Sequence, residues 1–219
     1  MRTLAGIFAA VSLQCAAAPF AIQLGDTRVA LDAPPGFADS TFTGSPRLQD
    51  IAESLTSASN RVLLFALSDA DLRRFMLGDQ MELKRYMLIA TPKVSERESL
   101  GASGFARLSA DALRNLGPAP AADTDLAKYL DAQPPGRPSL LAQLTNEQTV
   151  LSVLQGSRQP PPRRGDPPAY ALSTATLMLI RGKTLNLTVY SAYESAGDTD
   201  WIRSITARWI EDLKRLNAR

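Results

Sequence analysis

Residues 170–193 read YALSTATLMLIRGKTLNLTVYSAY, a pattern that predicts two strands joined by a tight turn. The turn is Arg181-Gly182-Lys183, and a short glycine-containing break between two apolar stretches is typical of a hairpin. After the turn, apolar and polar residues alternate: Leu185, Leu187 and Val189 with Asn186, Thr188 and Tyr190. Successive side chains of a strand point to opposite faces, so one face of this strand is buried and the other is more polar.

An amphipathic helix follows this hairpin. Asp198 provides a cap for its first turn, and apolar residues then recur every four positions. They are Trp201, Ile205, Trp209 and Leu213, with Leu216 after them. Residues four apart lie on the same side of a helix, so we expect this stripe to dock on the sheet.

The domain opens with another predicted hairpin. Residues 20–24 and 28–31 are separated by Gly25-Asp26, which is a typical turn between strands. The sequence APPGF at 33–37 then ends the second strand, because proline cannot donate a hydrogen bond to a strand ladder.

Helix and strand alternate in the next part of the chain. Ser45-Pro46 has the order of a cap followed by a proline in the first turn, which predicts a helix start. The apolar run VLLFAL at 62–67 predicts a strand covered on both faces. The spacing from Ser68 to Asp71 resembles a capping box and predicts a short helix, and 84–91 is a further strand.

Residues 93–168 are interpreted as a variable insertion. A helix is predicted over 109–116, where Gly117-Pro118 ends it, while Gly101 and Gly104 argue against a longer helix. The pattern turns to strand from residue 140 onward.

The order of these elements predicts an α+β fold. We expect an antiparallel sheet sandwiched by helices, with the C-terminal amphipathic helix docked on the sheet. Residues 18–219 are assigned to this single domain.

Residues 1–17 are interpreted as a signal peptide. Arg2 provides the positive start, 4–13 is an apolar run, and the small residues at 15–18 suit a signal peptidase. Cleavage after Ala17 is preferred, since cleavage after Ala18 would place the rigid Pro19 just beyond the cut. The alternative is a buried N-terminal helix. We therefore expect an exported protein, periplasmic or secreted, without a transmembrane segment.

Cys15 raises the question of lipidation. A lipid-modified cysteine normally follows a leucine three positions earlier and a small residue one position earlier. Ser12 and Gln14 occupy these places, so the sequence favours simple cleavage.

The composition excludes several classes of protein. The chain has 24 basic and 22 acidic residues, and a nucleic-acid binder would instead show a dense, one-sided basic face. It has no histidine and one cysteine, which removes histidine-based nucleophilic sites and most zinc or copper sites. We expect no catalytic residue, metal or cofactor. The alternating acids at 123–125 and 198–200 are interpreted as helix caps rather than calcium ligands.

Two groups of residues are candidates for binding. Arg158, Arg163 and Arg164 lie in the proline-rich stretch 158–168, which offers fixed guanidinium donors to an anionic partner or is a plain connecting loop. Tyr190 and Tyr193, with Trp201, either line a ligand patch or belong to the core.

The opening hairpin with its APPGF turn resembles the PsbP-like fold. The ending LMLIRGKTLNLTVYSAYES (177–195), followed by DTDWIRSITARWIEDL (198–213), resembles it as well. That fold is shared by extrinsic subunits of photosystem II and by a nuclear-transport adaptor that binds the GTPase Ran. The resemblance covers mainly residues 21–37 and 170–216, and it implies a binding or assembly role rather than catalysis.

Three functions follow from the sequence as expectations. The first is an exported, non-catalytic domain that binds an envelope protein or supports an assembly, for which we expect a large exposed apolar patch rimmed by the 158–168 loop. The second is a carrier of a small amphiphilic ligand, which needs an apolar pocket. The third is a carboxylate-based hydrolase, which needs two carboxylates facing each other in a cleft.

Overall fold

A computed structural model describes residues 19–121, 124–160 and 167–218. The two proposed cleavage positions, Ala17 and Ala18, lie outside the described residues, as do Cys15, Arg163 and Arg164. The strands are β1 (Phe20–Leu24), β2 (Thr27–Leu31), β3 (Phe37–Asp39), β4 (Asn60–Ser68), β5 (Arg85–Pro92), β6 (Ser139–Glu147), β7 (Val150–Gln159), β8 (Ala169–Ile180) and β9 (Lys183–Tyr193). The helices are α1 (Pro46–Ser54), α2 (Asp69–Met76), α3 (Ala102–Arg114), α4 (Leu126–Asp131) and α5 (Ala196–Leu216), and 3₁₀ turns cover Thr41–Thr43 and Lys93–Ser95.

Seven strands form one antiparallel sheet in the order β3-β4-β5-β9-β8-β7-β6. The opening hairpin β1–β2 is a separate two-stranded sheet. With helices packed on both faces, this architecture confirms the predicted α+β fold. Within the described part of the chain, no helix combines the length and apolar character needed to cross a membrane.

Strand β4 is buried on both faces, as its continuous apolar run predicts. Leu64 and Ala66 belong to the main core, which α5 and the β1–β2 hairpin cover. Phe65 and Leu67 point to the other face and pack with residues of α1 and α2. At the β6 end of the sheet the same face is covered by α3, which packs on β6 and β7 around Leu151.

Helix α5 docks on the sheet, but its buried stripe differs from the predicted one. Trp209 and Leu213 are buried as expected, whereas Trp201 and Ile205 are only half-buried. With 3.6 residues per turn, positions four apart drift by about 40° at each step, so a strict four-residue pattern leaves the contact face. The remaining buried positions are Ile202, Thr206 and Ile210, together with Asp198 in the first turn.

Residues 93–168 contain more regular structure, in their described part, than the sequence predicted. Helix α3 begins at Ala102 and continues through Gly104, so the predicted start at residue 109 is wrong. Phe105, which is 1% exposed, gains burial that offsets the cost of the glycine. Gly104 also admits Leu100, whose Cδ1 would lie 2.5 Å from an added Cβ. Asp125, one of the acids interpreted as helix caps, caps α4 by accepting from the Lys128 N–H at 3.0 Å. Strand β6 begins close to residue 140, where the pattern turns to strand.

Candidate functional site

A cleft of about 450 Å³ lies between α1 and the first half of β4. Among the described residues, β3 pairs only with Ala66–Ser68 at the end of β4. The outer edge of residues 60–65 is therefore left without a strand partner, and α1 packs on the adjoining sheet face through Leu48 and Ala52. We call this hollow the α1–β4 cleft.

The floor of the α1–β4 cleft is apolar. Leu48 and Ala52, one turn apart on α1, contribute from the helix. Val62 and Phe65 contribute from β4 and belong to the same hydrophobic cluster. An apolar part of a ligand would thus meet aliphatic and aromatic carbon on both sides.

The mouth of the cleft is polar. Hydroxyl and amide side chains line it, and three charged residues join them: Thr41, Ser45, Gln49, Thr56, Ser57 and Asn60, with Glu53, Arg61 and Lys93. The Asn60 amide donates a 2.9 Å hydrogen bond to the Thr56 hydroxyl, which ties the loop after α1 to the start of β4. An apolar floor below a polar mouth is the arrangement that accommodates an amphiphile.

Asp39 holds one rim of the cleft in place. Its carboxylate accepts hydrogen bonds from the backbone N–H and hydroxyl of Thr41 and from the N–H of Phe65. Burial raises the pKa of Asp39, although these hydrogen bonds oppose the shift. The Ser40 hydroxyl donates to the Phe65 carbonyl oxygen at 2.8 Å, so the turn at the rim is bound to the floor strand.

The cationic side chains of the mouth are anchored by the surrounding chain. The Lys93 ammonium donates to the Ala58 carbonyl oxygen at 2.8 Å, and the backbone N–H of Lys93 donates to the Ser59 carbonyl oxygen at 2.9 Å. One terminal nitrogen of Arg61 donates to the Glu96 carboxylate at 2.9 Å. Both cations are therefore held at the end of the cleft.

A buried lysine supports the loop that carries these contacts. Lys183 is 2% exposed, and its ammonium donates to the carbonyl oxygens of Glu96 at 3.2 Å and Glu98 at 2.9 Å. It also lies 3.4 Å from the carboxylate of Asp26 in the β1–β2 turn. The sequence did not indicate this role, because a lysine beside a tight turn is normally solvated.

A second hollow, of about 240 Å³, lies between α2, the start of β5 and the start of α5. Its acidic side chains are paired inside the hollow. Glu82 pairs with Arg74, Glu194 with Lys84 at 2.6 Å, and Asp198 with Arg85 at 2.8 Å, while the Asp71 carboxylate accepts from the Glu82 N–H at 2.8 Å. These contacts tie α2 to the segment before β5, and β5 to the start of α5.

A third hollow, of about 310 Å³, brings Asp32 and Asp212 together beside the APPGF turn. Burial raises the pKa of Asp32, and the charge of Asp212 adds to the rise, while the Ala33 N–H opposes it. Asp212 is paired with Arg215 at 2.6 Å. This is the arrangement that comes nearest to the paired carboxylates of a hydrolase, but a cation already neutralises one partner.

The candidate binding tyrosines are divided between the two faces of the sheet. Tyr190 stacks on Tyr86 of β5 on the face of α1 and α2, with ring centroids 4.6 Å apart. Tyr193 lies on the opposite face, because residues three apart in a strand point in opposite directions. It contacts Tyr170 edge-on at 6.5 Å.

Arg158 and Trp201 also have structural partners. Arg158 is opposite Tyr170 in the strand register and lies 3.7 Å from Asp131, which accepts from the Tyr170 hydroxyl at 2.9 Å. The Arg85 guanidinium covers the Trp201 ring at 4.0 Å from its centroid. The residues that line the α1–β4 cleft are a different set, whose only hint in the sequence was the hydroxyl-rich TSASN at 56–60.

Large exposed apolar side chains occur at scattered elements of the described chain. Met76 and Leu77 at the end of α2 are 76% and 79% exposed. The others are Phe42, Leu55, Val94 and Leu108. In the part of the chain described, none of them belongs to β7 or β8, the strands beside the proline-rich stretch.

The chain matches no protein-family model and no curated protein. Among solved structures it is similar to the Ran-binding protein Mog1p of Saccharomyces cerevisiae, with 10% sequence identity over 92% of this chain and 93% of that one. The TM-score is 0.37, so this is a weak structural resemblance, and no statement about activity or partner rests on it.

Proposed function

We propose that this protein is a non-catalytic binding domain and that its ligand is a small amphiphile held in the α1–β4 cleft. The observation that carries the proposal is the combination of an apolar floor and a polar mouth in a hollow of about 450 Å³. Small-molecule sites are typically roughly 300–1,000 Å³, lined by apolar side chains with a few polar groups that orient the ligand.

The floor sets the strength of binding that we expect. Each buried methylene group contributes about 0.8 kcal/mol, so six of them supply about 5 kcal/mol before the cost of association. Since the cost of association subtracts from this, dissociation constants of roughly 0.2 mM or weaker are expected for an eight-carbon ligand.

The test is an NMR titration of the full chain with 1-octanol, following backbone amide shifts. We expect shifts concentrated in α1, the loop 55–60 and β4. Gln49 lines the cleft and is exposed, so Gln49→Trp should obstruct the cleft without disturbing the core. Ala110→Trp adds the same side chain on an exposed position of α3 and is the matched control. Shifts spread over α5, or shifts unchanged in Gln49→Trp, would contradict the proposal.

A second candidate function is binding of an envelope protein. The observation in its favour is the pair Met76 and Leu77, whose apolar side chains are more than three-quarters exposed at the end of α2. Native mass spectrometry of the protein purified from the envelope of its host tests this function. A co-purifying subunit supports it, and a bare monomer counts against a tight partner.

The same mass measurement tests export. We propose that the mature chain begins after Ala17 or Ala18 and resides in the periplasm or outside the cell. The two cleavage points differ by one alanine in mass, and a lipidated Cys15 would add the mass of its acyl chains. An intact mass that includes residues 1–17 unmodified would contradict export.

A further inference from the structure

The charges at the mouth of the α1–β4 cleft lie on two walls. Glu53 stands on α1, whereas Arg61 and Lys93 stand at the start of β4 and just after β5. One oxygen of Glu53 accepts from the Gln49 amide at 2.8 Å, and among the described residues no cation lies within 4.0 Å of its carboxylate. Lys93 likewise has no carboxylate within 4.0 Å in the described chain. The opposite charges therefore share one cleft without neutralising each other.

The cationic wall is held in position before any ligand arrives. Lys93 is bound to the loop 58–59 through both its ammonium and its backbone N–H. Arg61 uses one terminal nitrogen on Glu96, whose carbonyl oxygen is in turn held by the buried Lys183. Donors that are already in position lose little freedom on binding, which favours recognition of an anionic group at this wall.

We propose that the amphiphile bound in the α1–β4 cleft carries a zwitterionic head, an inference that rests on the proposed function. The ammonium of the ligand contacts Glu53, and its acidic group contacts Lys93 and Arg61. The apolar part lies on Leu48, Val62 and Phe65. A ligand with only a negative charge would leave Glu53 uncompensated, and one with only a positive charge would leave Lys93 uncompensated, since Arg61 is already paired with Glu96.

Two ligand sources share this chemistry: an α-amino acid with an apolar side chain, and a short-chain lipid with a zwitterionic phosphate head. The test uses eight-carbon probes of each charge type, measured by calorimetry at low and high salt. They are octanoate, octylammonium, 2-aminooctanoate, octylphosphocholine and uncharged 1-octanol. The stronger of the two zwitterions identifies the source.

We expect at least one zwitterion to bind roughly two- to fivefold more tightly than octanoate or octylammonium, because partly exposed charge pairs contribute modestly. Lys93→Met should weaken binding of the zwitterion and of octanoate by a similar factor, and it should not weaken binding of octylammonium. Glu53→Gln should weaken binding of the zwitterion and of octylammonium, and it should not weaken binding of octanoate. High salt should reduce the advantage of the zwitterion and the losses of affinity caused by Lys93→Met and Glu53→Gln.

Lys214→Met is the control variant, since it removes an ammonium that pairs with Glu147 and Glu211 on the opposite side of the sheet. It should change no probe affinity. The inference is overturned if 1-octanol binds in the cleft while the zwitterions gain nothing over the singly charged probes, a result that leaves the proposed function intact. If 1-octanol also fails to bind, or binds regardless of Gln49→Trp, the proposed function fails as well.

Discussion

The ammonium of Lys183 donates a 2.9 Å hydrogen bond to the carbonyl oxygen of Glu98, at a residue that is only 2% exposed. A charged group so deeply buried is stable only while all its partners remain. In this protein the partners come from the loop after β5 and from the β1–β2 turn, so Lys183 joins three segments that are distant in the sequence.

Replacing this lysine is expected to destabilise the fold. Lys183→Met keeps the length of the side chain but leaves the carbonyl oxygens of Glu96 and Glu98 without their donor. We expect the free energy of unfolding to fall by about 2–4 kcal/mol. Urea denaturation measures it, and Lys128→Met on the exposed face of α4 is the control, with a change within about 0.5 kcal/mol. An equal effect of the two substitutions would contradict the role of Lys183.

The close approach of the same loop predicts a specific effect at Gly25. Gly25 has a φ of +58°, and an added Cβ would lie 2.8 Å from the Glu96 carbonyl oxygen. Gly78 also has a positive φ, +81°, but nothing lies within 4 Å of its added Cβ. Gly78→Ala should therefore cost about 1 kcal/mol for the backbone alone, and Gly25→Ala should cost clearly more. Thermal unfolding of the two variants compares them, and equal losses would remove the argument for contact with Glu96.

The carboxyl of Asp39, beside the α1–β4 cleft, is expected to make the stability of the fold depend on pH. Its pKa is raised by burial, so the folded state binds the proton more tightly than the unfolded state does. The stability from this group is therefore highest in acid and falls as the pH rises through the ordinary pKa of about 4 toward the folded value.

Asp39→Asn keeps the acceptor for the Thr41 and Phe65 N–H groups but removes the buried charge. We expect this variant to gain stability relative to the wild type between pH 3 and pH 7, whereas Asp39→Ala loses the hydrogen bonds and is destabilised at both. Urea midpoints across this range measure the difference. A gap between wild type and Asp39→Asn that does not change with pH would exclude a titrating role for Asp39.

The contribution of Asp198 to the stability of the fold is expected to have the opposite pH dependence. Burial raises the pKa of its carboxyl, but the N–H groups of Glu194 and Ser195 and the Arg85 guanidinium outweigh this, and the net pKa is lowered. The stability that Asp198 adds is thus complete above the ordinary pKa of about 4 and is lost as the pH falls through the folded value.

The N-cap of α5 is Ser195 and not the predicted Asp198, which forms the acidic half of a capping box in the first turn. Asp198→Ala should cost about 2 kcal/mol at pH 7, because it removes that half of the box and a charged partner of Arg85. The cost should shrink at pH 2. The control is Asp200→Ala, which removes an exposed acid two residues further along α5 and should change stability little at either pH. A cost for Asp198→Ala that persists unchanged in acid would mean that its effect is not electrostatic.

Much of the fold was predictable from local patterns. The hairpin at 170–193 and the two-faced burial of β4 are confirmed. Of the box predicted at 68–71, the Ser68 cap is present, since its hydroxyl accepts from the Asp71 N–H at 3.1 Å, while the Asp71 carboxylate accepts from the Ser68 hydroxyl and the Glu82 N–H instead of the Ser68 N–H. Such features depend on alternation and on side-chain caps within a few residues. The start of α3 was wrong because burial of Phe105 outweighed the helix cost of Gly104, and burial is not a local property.

Among the candidate binding residues, one arrangement follows from a local pattern and another does not. The separation of Tyr190 from Tyr193 follows from their odd spacing in one strand, which the sequence already contains. The pairing of Arg158 with Asp131 joins residues on β7 and α4, and no local pattern indicates it.

The sequence by itself determined most of the strands and helices and the α+β class, because hydrophobic period and turn chemistry act over short distances along the chain. The tertiary structure alone decided the order of the strands, the burial of Lys183 and the α1–β4 cleft. The cleft lies where the short strand β3 leaves the outer edge of residues 60–65 without a strand partner in the described chain, while α1 packs on the face that carries Phe65. These outcomes depend on contacts between segments tens of residues apart, where packing and not local propensity sets the free energy.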